Sequence, residues 1–290
     1  MKNFKIFLLL FFVIFTANSV MARCHGHYHY HSTPVYLVRS DYYEDETKFQ
    51  NCAQHGLLTK TIVNIYSNGT RRVLNYYTVI NSNDGTVLLD GCTDVAHVMC
   101  GNEHYFLFKK DGKYQIAHSS GKILSVRKYS KMKEISENRI LVKIDKKYGI
   151  IDLEERSIVP IKYKKFEQIG GNLFLTKLNG YYGMLDISNK LVLKNEYERI
   201  IPIYDTFLLK RYGKYGLANK NGKIIIKEEN DSIKKLGEYI LVKKDGLYKV
   251  YSAQGISIDN NEYKKIKLER NTLMGKLKGK GYVTILSQEL

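Results

Sequence analysis

From Glu103 to about Tyr282 the chain repeats one pattern six times: a hydrophobic run, a Lys, a two-residue turn and then an aromatic position at Tyr114, Tyr148, Tyr182, Tyr215, Tyr248 and, as a Gly, Gly281, with spacings of 34, 34, 33, 33 and 33. A fixed period in this range means a repeat array, in which each unit is too small to bury its own apolar face and must stack on its neighbours. A period running through two thirds of the chain favours one continuous body.

The unit itself reads as strands. In Phe174 to Asp186 two strand-like runs flank Asn179-Gly180, and the matching turns elsewhere are Asp111-Gly112, Asp145-Lys146, Tyr212-Gly213, Asp245-Gly246 and Lys278-Gly279. Asn-Gly and Asp-Gly supply the positive φ that a two-residue hairpin needs. A second turn lies seven residues after the aromatic, at Gly121, Glu155, Asn189, Gly222 and Gly255, and a third short strand follows it. With 24 Tyr, 11 Phe and only 3 Pro, strand formers abound and strand breakers are scarce. The expected fold is all-β: about seven short antiparallel meanders of three strands forming a solenoid, with a closed propeller-like ring as the alternative. A unit of this length is lean for a four-stranded propeller blade, usually about 40 to 45 residues.

These residues resemble the WG-repeat (KWG-repeat) family of bacterial proteins. Gly213-Lys214-Tyr215-Gly216-Leu217 with Asn221-Gly222-Lys223-Ile224-Ile225 follows that family's pattern, as does Lys147-Tyr148-Gly149-Ile150-Ile151-Asp152 with Ile158-Val159-Pro160 and Tyr163. The departures are that every motif Trp is Tyr here and that Gly follows the Tyr only at Gly149, Gly183 and Gly216. The resemblance implies a non-catalytic repeat scaffold, with no catalytic residues to transfer. Nor does any nucleophile, base and orienting group recur in an arrangement that would make an enzyme; the isolated His55, His97, His104 and His118 read as structural.

Lys2 and Lys5 precede an apolar run from Ile6 to Phe15 and small residues up to Ala22, the signature of a secretory signal peptide over residues 1–22. The run is too short for the ~20 residues of a spanning helix, so the expectation is an exported chain, periplasmic, at the cell surface or secreted. Beyond it, residues 23–60 read as a His-rich, irregular segment, 61–102 as a degenerate capping repeat carrying a Cys pair, and 103–290 as the six clear units. Asp41 to Glu46 reads as a polar connection. Cys24, Cys52, Cys92 and Cys100 make an even count in an exported chain, which implies disulfides; neighbours in sequence suggest Cys92 with Cys100 and Cys24 with Cys52. A competing reading makes Cys92, His97, Cys100 and His104 a zinc site by ligand type.

Two further features point to binding. His25, His27, His29 and His31 alternate strictly, so an extended strand would turn them to one side, the donor set of Cu or Zn. A Lys stands five residues before each aromatic position, at Lys109, Lys143, Lys177, Lys210, Lys243 and Lys276. Stacked units would align these ammonium groups in a row that repels itself unless solvated, paired or occupied by an anion. The formal charge of +17, or +15 without Lys2 and Lys5, favours polyanions as partners, yet no specific nucleic-acid motif is present. Two functions follow as expectations: an exported binding protein presenting a basic repeat surface to an anionic cell-envelope polymer or protein, or a periplasmic transition-metal binder using the His tract. In both, the motif Tyr column is expected to form the core ladder.

Overall fold

The computed structural model describes residues 35–49 and 52–287. They form 25 strands and no helix, gathered into seven antiparallel sheets whose strands follow one another in sequence order. Sheet 1 holds β1 (Leu37–Phe49), β2 (Cys52–Tyr66), β3 (Arg71–Asn81) and β4 (Val87–Cys92); sheet 2 holds β5 (Asp94–Cys100), β6 (Glu103–Lys110) and β7 (Lys113–His118). Sheet 3 is β8 (Lys131–Ser136), β9 (Arg139–Ile144), β10 (Lys147–Ile151) and β11 (Ser157–Tyr163). Sheet 4 is β12 (Lys165–Gly170), β13 (Leu173–Leu178), β14 (Tyr181–Asp186) and β15 (Leu191–Tyr197). Sheet 5 is β16 (Arg199–Ile203), β17 (Thr206–Arg211), β18 (Lys214–Asn219) and β19 (Ile224–Asn230). Sheet 6 runs β20 (Ser232–Leu236), β21 (Tyr239–Lys244) and β22 (Leu247–Tyr251), and sheet 7 runs β23 (Lys265–Glu269), β24 (Thr272–Lys276) and β25 (Tyr282–Ser287).

The turn chemistry explains the hairpins. At Asp111-Gly112, Asp145-Lys146, Asn179-Gly180, Tyr212-Gly213 and Asp245-Gly246 both residues have positive φ, the mirror-image turn whose twist matches that of the flanking strands. The second turn also holds one residue at positive φ in each of the first five units, Glu155 and Asn189 included. It is capped from within: Asp186 Oδ1 accepts from Ser188 N at 2.9 Å and Lys190 N at 2.8 Å, and Asp152 and Asn219 do the same one unit to either side. The Asp or Asn of the repeat is therefore a turn cap, its side chain imitating a backbone acceptor.

Four of the seven sheets hold four strands, one more than the sequence of a unit suggests. The residues after the third strand split, so that Tyr163 ends one sheet and Lys165 opens the next. The Gly after the motif Tyr decides how well the last strand pairs. Its partner strand arches over it in a bulge, and a Cβ on Gly149 would lie 2.6 Å from the Val159 carbonyl oxygen, on Gly216 2.6 Å from that of Ile226. Where Gln115 or Lys249 stands instead, the fourth strand shrinks to isolated bridges, Tyr114 to Tyr129 and Ala117 to Ile123, or Tyr248 to Tyr263 and Tyr251 to Ser257. Sheet 1, with Thr78 at that place, keeps β4 by a shorter bulge over Asp90 and Gly91.

Successive sheets stack face to face, and each of the six seams has its own apolar cluster. Between sheets 3 and 4, for example, Ile150, Val159 and Tyr163 meet Phe166, Phe174 and Leu185. The outer faces of the first and last sheets are open: Glu44, Leu58 and Lys60 of sheet 1 and Lys265, Lys276 and Thr284 of sheet 7 are exposed. The array is a solenoid-like stack, not a closed ring. Units are also clasped through their turns, as when the Glu155 carboxylate accepts from Val126 N at 2.8 Å and from Tyr129 Oη at 2.9 Å.

Three expectations are corrected here. The buried ring column is Tyr129, Tyr163, Tyr197 and Tyr263, between 0% and 5% exposed, whereas the motif tyrosines, which pair with them across the strands, are only half-buried. The segment read as irregular is sheet in residues 37–49 and from 52 onward, because Asp41 to Glu46 pairs with β2 through an unbroken register and its charges suit an edge strand. In the sixth unit Lys276 pairs with Tyr282, not Gly281, since the turn there is one residue longer.

Candidate functional site

The lysine row is real as geometry. Each Lys sits in the second strand of its sheet directly across from the motif Tyr: Lys109 with Tyr114, Lys143 with Tyr148, Lys177 with Tyr182, Lys210 with Tyr215, Lys243 with Tyr248. Its Nζ lies over that ring, 4.8 Å from the centroid at Tyr148 and Tyr182 and 5.3 to 5.8 Å at the others. The ammonium is thus held by the negative face of a ring, worth roughly 0.5 to 1 kcal/mol at an exposed site, while its aliphatic stem is half-buried. Sequence reasoning saw the Lys column and the Tyr column separately; the five-residue spacing across a two-residue turn was the signal that makes them partners.

The other neighbour of each Lys, on the first strand, divides the row. In sheet 2 it is Asp94, whose carboxylate also accepts from Tyr114 Oη at 2.7 Å; burial and this carboxylate push the Tyr114 hydroxyl up to about 12. In sheet 5 it is Arg199, with Glu198 3.1 Å from Lys210 Nζ, and in sheet 6 it is Ser232, beside which Asp231 takes Lys214 at 2.7 Å. In sheets 3 and 4 the register partners are both cationic, Lys131 with Lys143 and Lys165 with Lys177. Lys165 reaches Glu167 at 2.6 Å and also stands 5.8 Å over the Tyr182 ring, so Tyr182 carries two ammonium groups. Lys265 and Lys276 form a further such pair on the terminal sheet.

The histidines gather elsewhere. His55 of β2, His97 of β5 and His104 of β6 meet Phe49 and Phe106 at the seam of sheets 1 and 2, with His97 Nε2 2.8 Å from His104 Nδ1 and His55 Nε2 3.2 Å from the Ser119 carbonyl. His118 stands apart on Glu103 at 3.0 Å. Burial holds His55 and His97 below the ordinary imidazole range. A depressed imidazole pKa means that the unfolded chain binds the proton more readily, so this stability is complete above about pH 6.5 and drains away as pH falls below it. The thermal midpoint should drop between pH 7.5 and pH 5, and a His97→Gln chain should show a flatter profile; identical profiles for the two would show that the cluster does not govern it.

The zinc constellation does not assemble. Strand alternation puts Cys100 among the residues of the sheet 2 to 3 seam while Cys92 lies in the sheet 1 to 2 cluster, and among the described residues no three His, Cys, Asp or Glu side chains are placed to share a metal ion. The expected Cys92 to Cys100 bridge is also not formed: both thiols are free. The seven-residue strand β5 lies between them, and at about 3.3 Å per residue it holds them far beyond the roughly 4.4 to 6.8 Å between Cα atoms that a disulfide spans. Burial raises the Cys92 thiol to about 11. Cys24 and the tract His25, His27, His29 and His31 lie outside the described residues, as does the side chain of Cys52.

Among curated proteins none matches the chain in sequence. Of solved structures, Hsv2 of Kluyveromyces lactis is 12% identical with a TM-score of 0.29, over 77% of this chain and 85% of that one; the AfRom2 CNH domain is 10% identical with a TM-score of 0.24, over 89% and 99%. The arrangement of sheets accordingly rests on this chain's own contacts. Residues 148–182 match the family described as WG containing repeat. That stretch runs from one motif Tyr to the next, through β11, β12 and β13, and the turns and Lys-Tyr pairing on either side of it repeat its plan. Over that stretch the chain matches a WG containing repeat, with Tyr148 and Tyr182 standing where the motif name has Trp.

Proposed function

We propose that this is an exported, non-catalytic WG-repeat binding protein whose lysine edge on sheets 3 and 4 takes an anionic polymer of the cell envelope. The observation that carries the reading is the pair of like-charged register partners, Lys131 with Lys143 and Lys165 with Lys177, on adjacent sheets. Directly opposed like charges in a sheet are destabilising, and an anion lying along that edge would relieve both pairs at once. The charge of +17 brings polyanions toward the surface from a distance, and the ring-held ammonium groups fix where they would land. A signal-like N-terminus supports export, and no helix among the described residues is long and apolar enough to cross a membrane.

The test compares binding of immobilised polygalacturonate by the parent, by a Lys131→Gln, Lys143→Gln, Lys165→Gln, Lys177→Gln chain, and by a Lys109→Gln, Lys243→Gln chain. Affinity should fall by roughly tenfold or more in the first variant, about 1.4 kcal/mol per factor of ten, and its dependence on salt should flatten because fewer counterions are released. The second variant should bind nearly as the parent does, since Lys109 faces Asp94 and Lys243 faces Ser232, and neither opposes a second cation. Equal loss in both variants would mean that the charge acts diffusely and that sheets 3 and 4 hold no site.

A further inference from the structure

One hairpin turn breaks the rule that its counterparts keep. The first turn position is held by Asp111, Asp145, Asn179 and Asp245, all at positive φ, a backbone that Asp and Asn tolerate because their short polar side chains bond locally. In sheet 5 that place belongs to Tyr212, at a φ of 50° and 85% exposed. A ring there gains little from burial and suits the turn poorly, and a local rule broken without gain to the fold points to function. The ring is nevertheless held in place. The Arg211 guanidinium lies over it, Cζ 5.0 Å from the centroid, and Arg211 Nη1 donates to Glu196 Oε1 of sheet 4 at 3.2 Å. Arg211 Nε is shut from solvent without an acceptor, so hydrogen bonding alone does not set where the guanidinium lies. With so much of Tyr212 exposed, the opposite face of its ring stays open.

We infer that Tyr212 is a platform on which a sugar ring stacks, so that the polymer taken by the lysine edge is an acidic polysaccharide; this rests on the reading of that edge as a polyanion site. Position connects the two. Lys165, Lys177, Tyr182 and Tyr197 form one cross-strand row on the face of sheet 4 that meets sheet 5, and three strand spacings make it about 14 Å long. Glu196, which holds Arg211, directly precedes Tyr197, so the ammonium groups stand at one end of the row and the Arg211 and Tyr212 pair at the other. An acidic polysaccharide crossing sheet 4 would set carboxylates on the lysines and a pyranose on Tyr212. The C–H face of a pyranose can cover the electron-rich face of an aromatic ring while its hydroxyls remain in water. A polyphosphate has charge to offer the lysines but no such face to offer the ring.

Binding to immobilised polygalacturonate and to immobilised polyphosphate, measured side by side for the full chain and for Tyr212→Asn, tests this. Asparagine suits the turn, as at Asn179, so the thermal midpoint of the variant should hold or rise. Its affinity for polygalacturonate should still fall roughly tenfold, the loss of one covered ring face, while its affinity for polyphosphate stays that of the parent. The quadruple lysine exchange should instead weaken both polymers, which separates failure of the lysine edge from failure of the platform. Neutral cellohexaose tests the ring without the charge: saturation transfer from the protein to its ring protons should be seen with the parent and lost with Tyr212→Asn. The inference is overturned if Tyr212→Asn binds polygalacturonate as tightly as the parent, if it loses polyphosphate to the same degree, or if cellohexaose does not distinguish the two chains.

Discussion

Replacing Gly222 by Ala should cost this protein about 3 to 4 kcal/mol, and the same change at Gly213 only about 1 kcal/mol. Both glycines have positive φ, 79° and 75°, a backbone that a Cβ penalises by roughly 1 to 2 kcal/mol. They differ in surroundings. A Cβ on Gly213 meets nothing within 4 Å, whereas on Gly222 it would overlap the Val192 carbonyl oxygen of the preceding sheet. Overpacking of that kind adds about 1 to 3 kcal/mol, and here the obstacle is backbone that cannot swing aside. Glu155 and Asn189 hold positive φ at the equivalent turns, so the conformation alone is tolerated; close approach between units separates the two sites. Chemical denaturation of the two variants decides it, and equal losses would show that the turn, and not the seam, is what the glycine serves.

The second large effect concerns the tyrosines. Tyr163→Ala should lose about 3 to 5 kcal/mol, as truncation of a buried aromatic ring does, because its ring is 5% exposed and packs on Phe166 with centroids 5.8 Å apart. Tyr148→Ala, its cross-strand neighbour, should lose far less, about 1 kcal/mol, the order of one exposed cation–π contact and some burial. If Tyr148→Ala proves the more damaging, the core runs through the motif column after all. The same substitution should release Lys143 from its ring, so Tyr148→Ala is expected to weaken polyanion binding more than it weakens the fold.

Which features could be read beforehand follows from their range. The period, both turns and the turn-capping Asp or Asn are local, each set by residues within seven of one another, and sequence shows them plainly. The Lys across from each Tyr was also in reach, since a two-residue turn fixes the register that joins them. The buried tyrosines were harder: Tyr163 and Tyr197 have the same composition signal as Tyr148 and Tyr182, and which ring faces the next sheet depends on the bulge over Gly149 and Gly183. Sheet boundaries failed for a related reason, since Tyr163 and Lys165 belong to different sheets with only Lys164 between them. The cysteines misled because nearness in sequence is not nearness in space when the link is an extended strand. At the N-terminus, charged residues in Asp41 to Glu46 looked like a loop, but as an edge strand they need only one partner.

The order of strands within the sheets has a consequence for how the chain acquires its structure. Every sheet pairs only strands that follow one another, and every seam joins consecutive sheets, so no contact described here has to wait for a distant part of the chain to arrive. All-β proteins are ordinarily slow to fold because their pairings close long loops. This one closes only short ones, and a ribosome delivering it from the N-terminus would release each sheet complete, with the preceding seam ready to receive it.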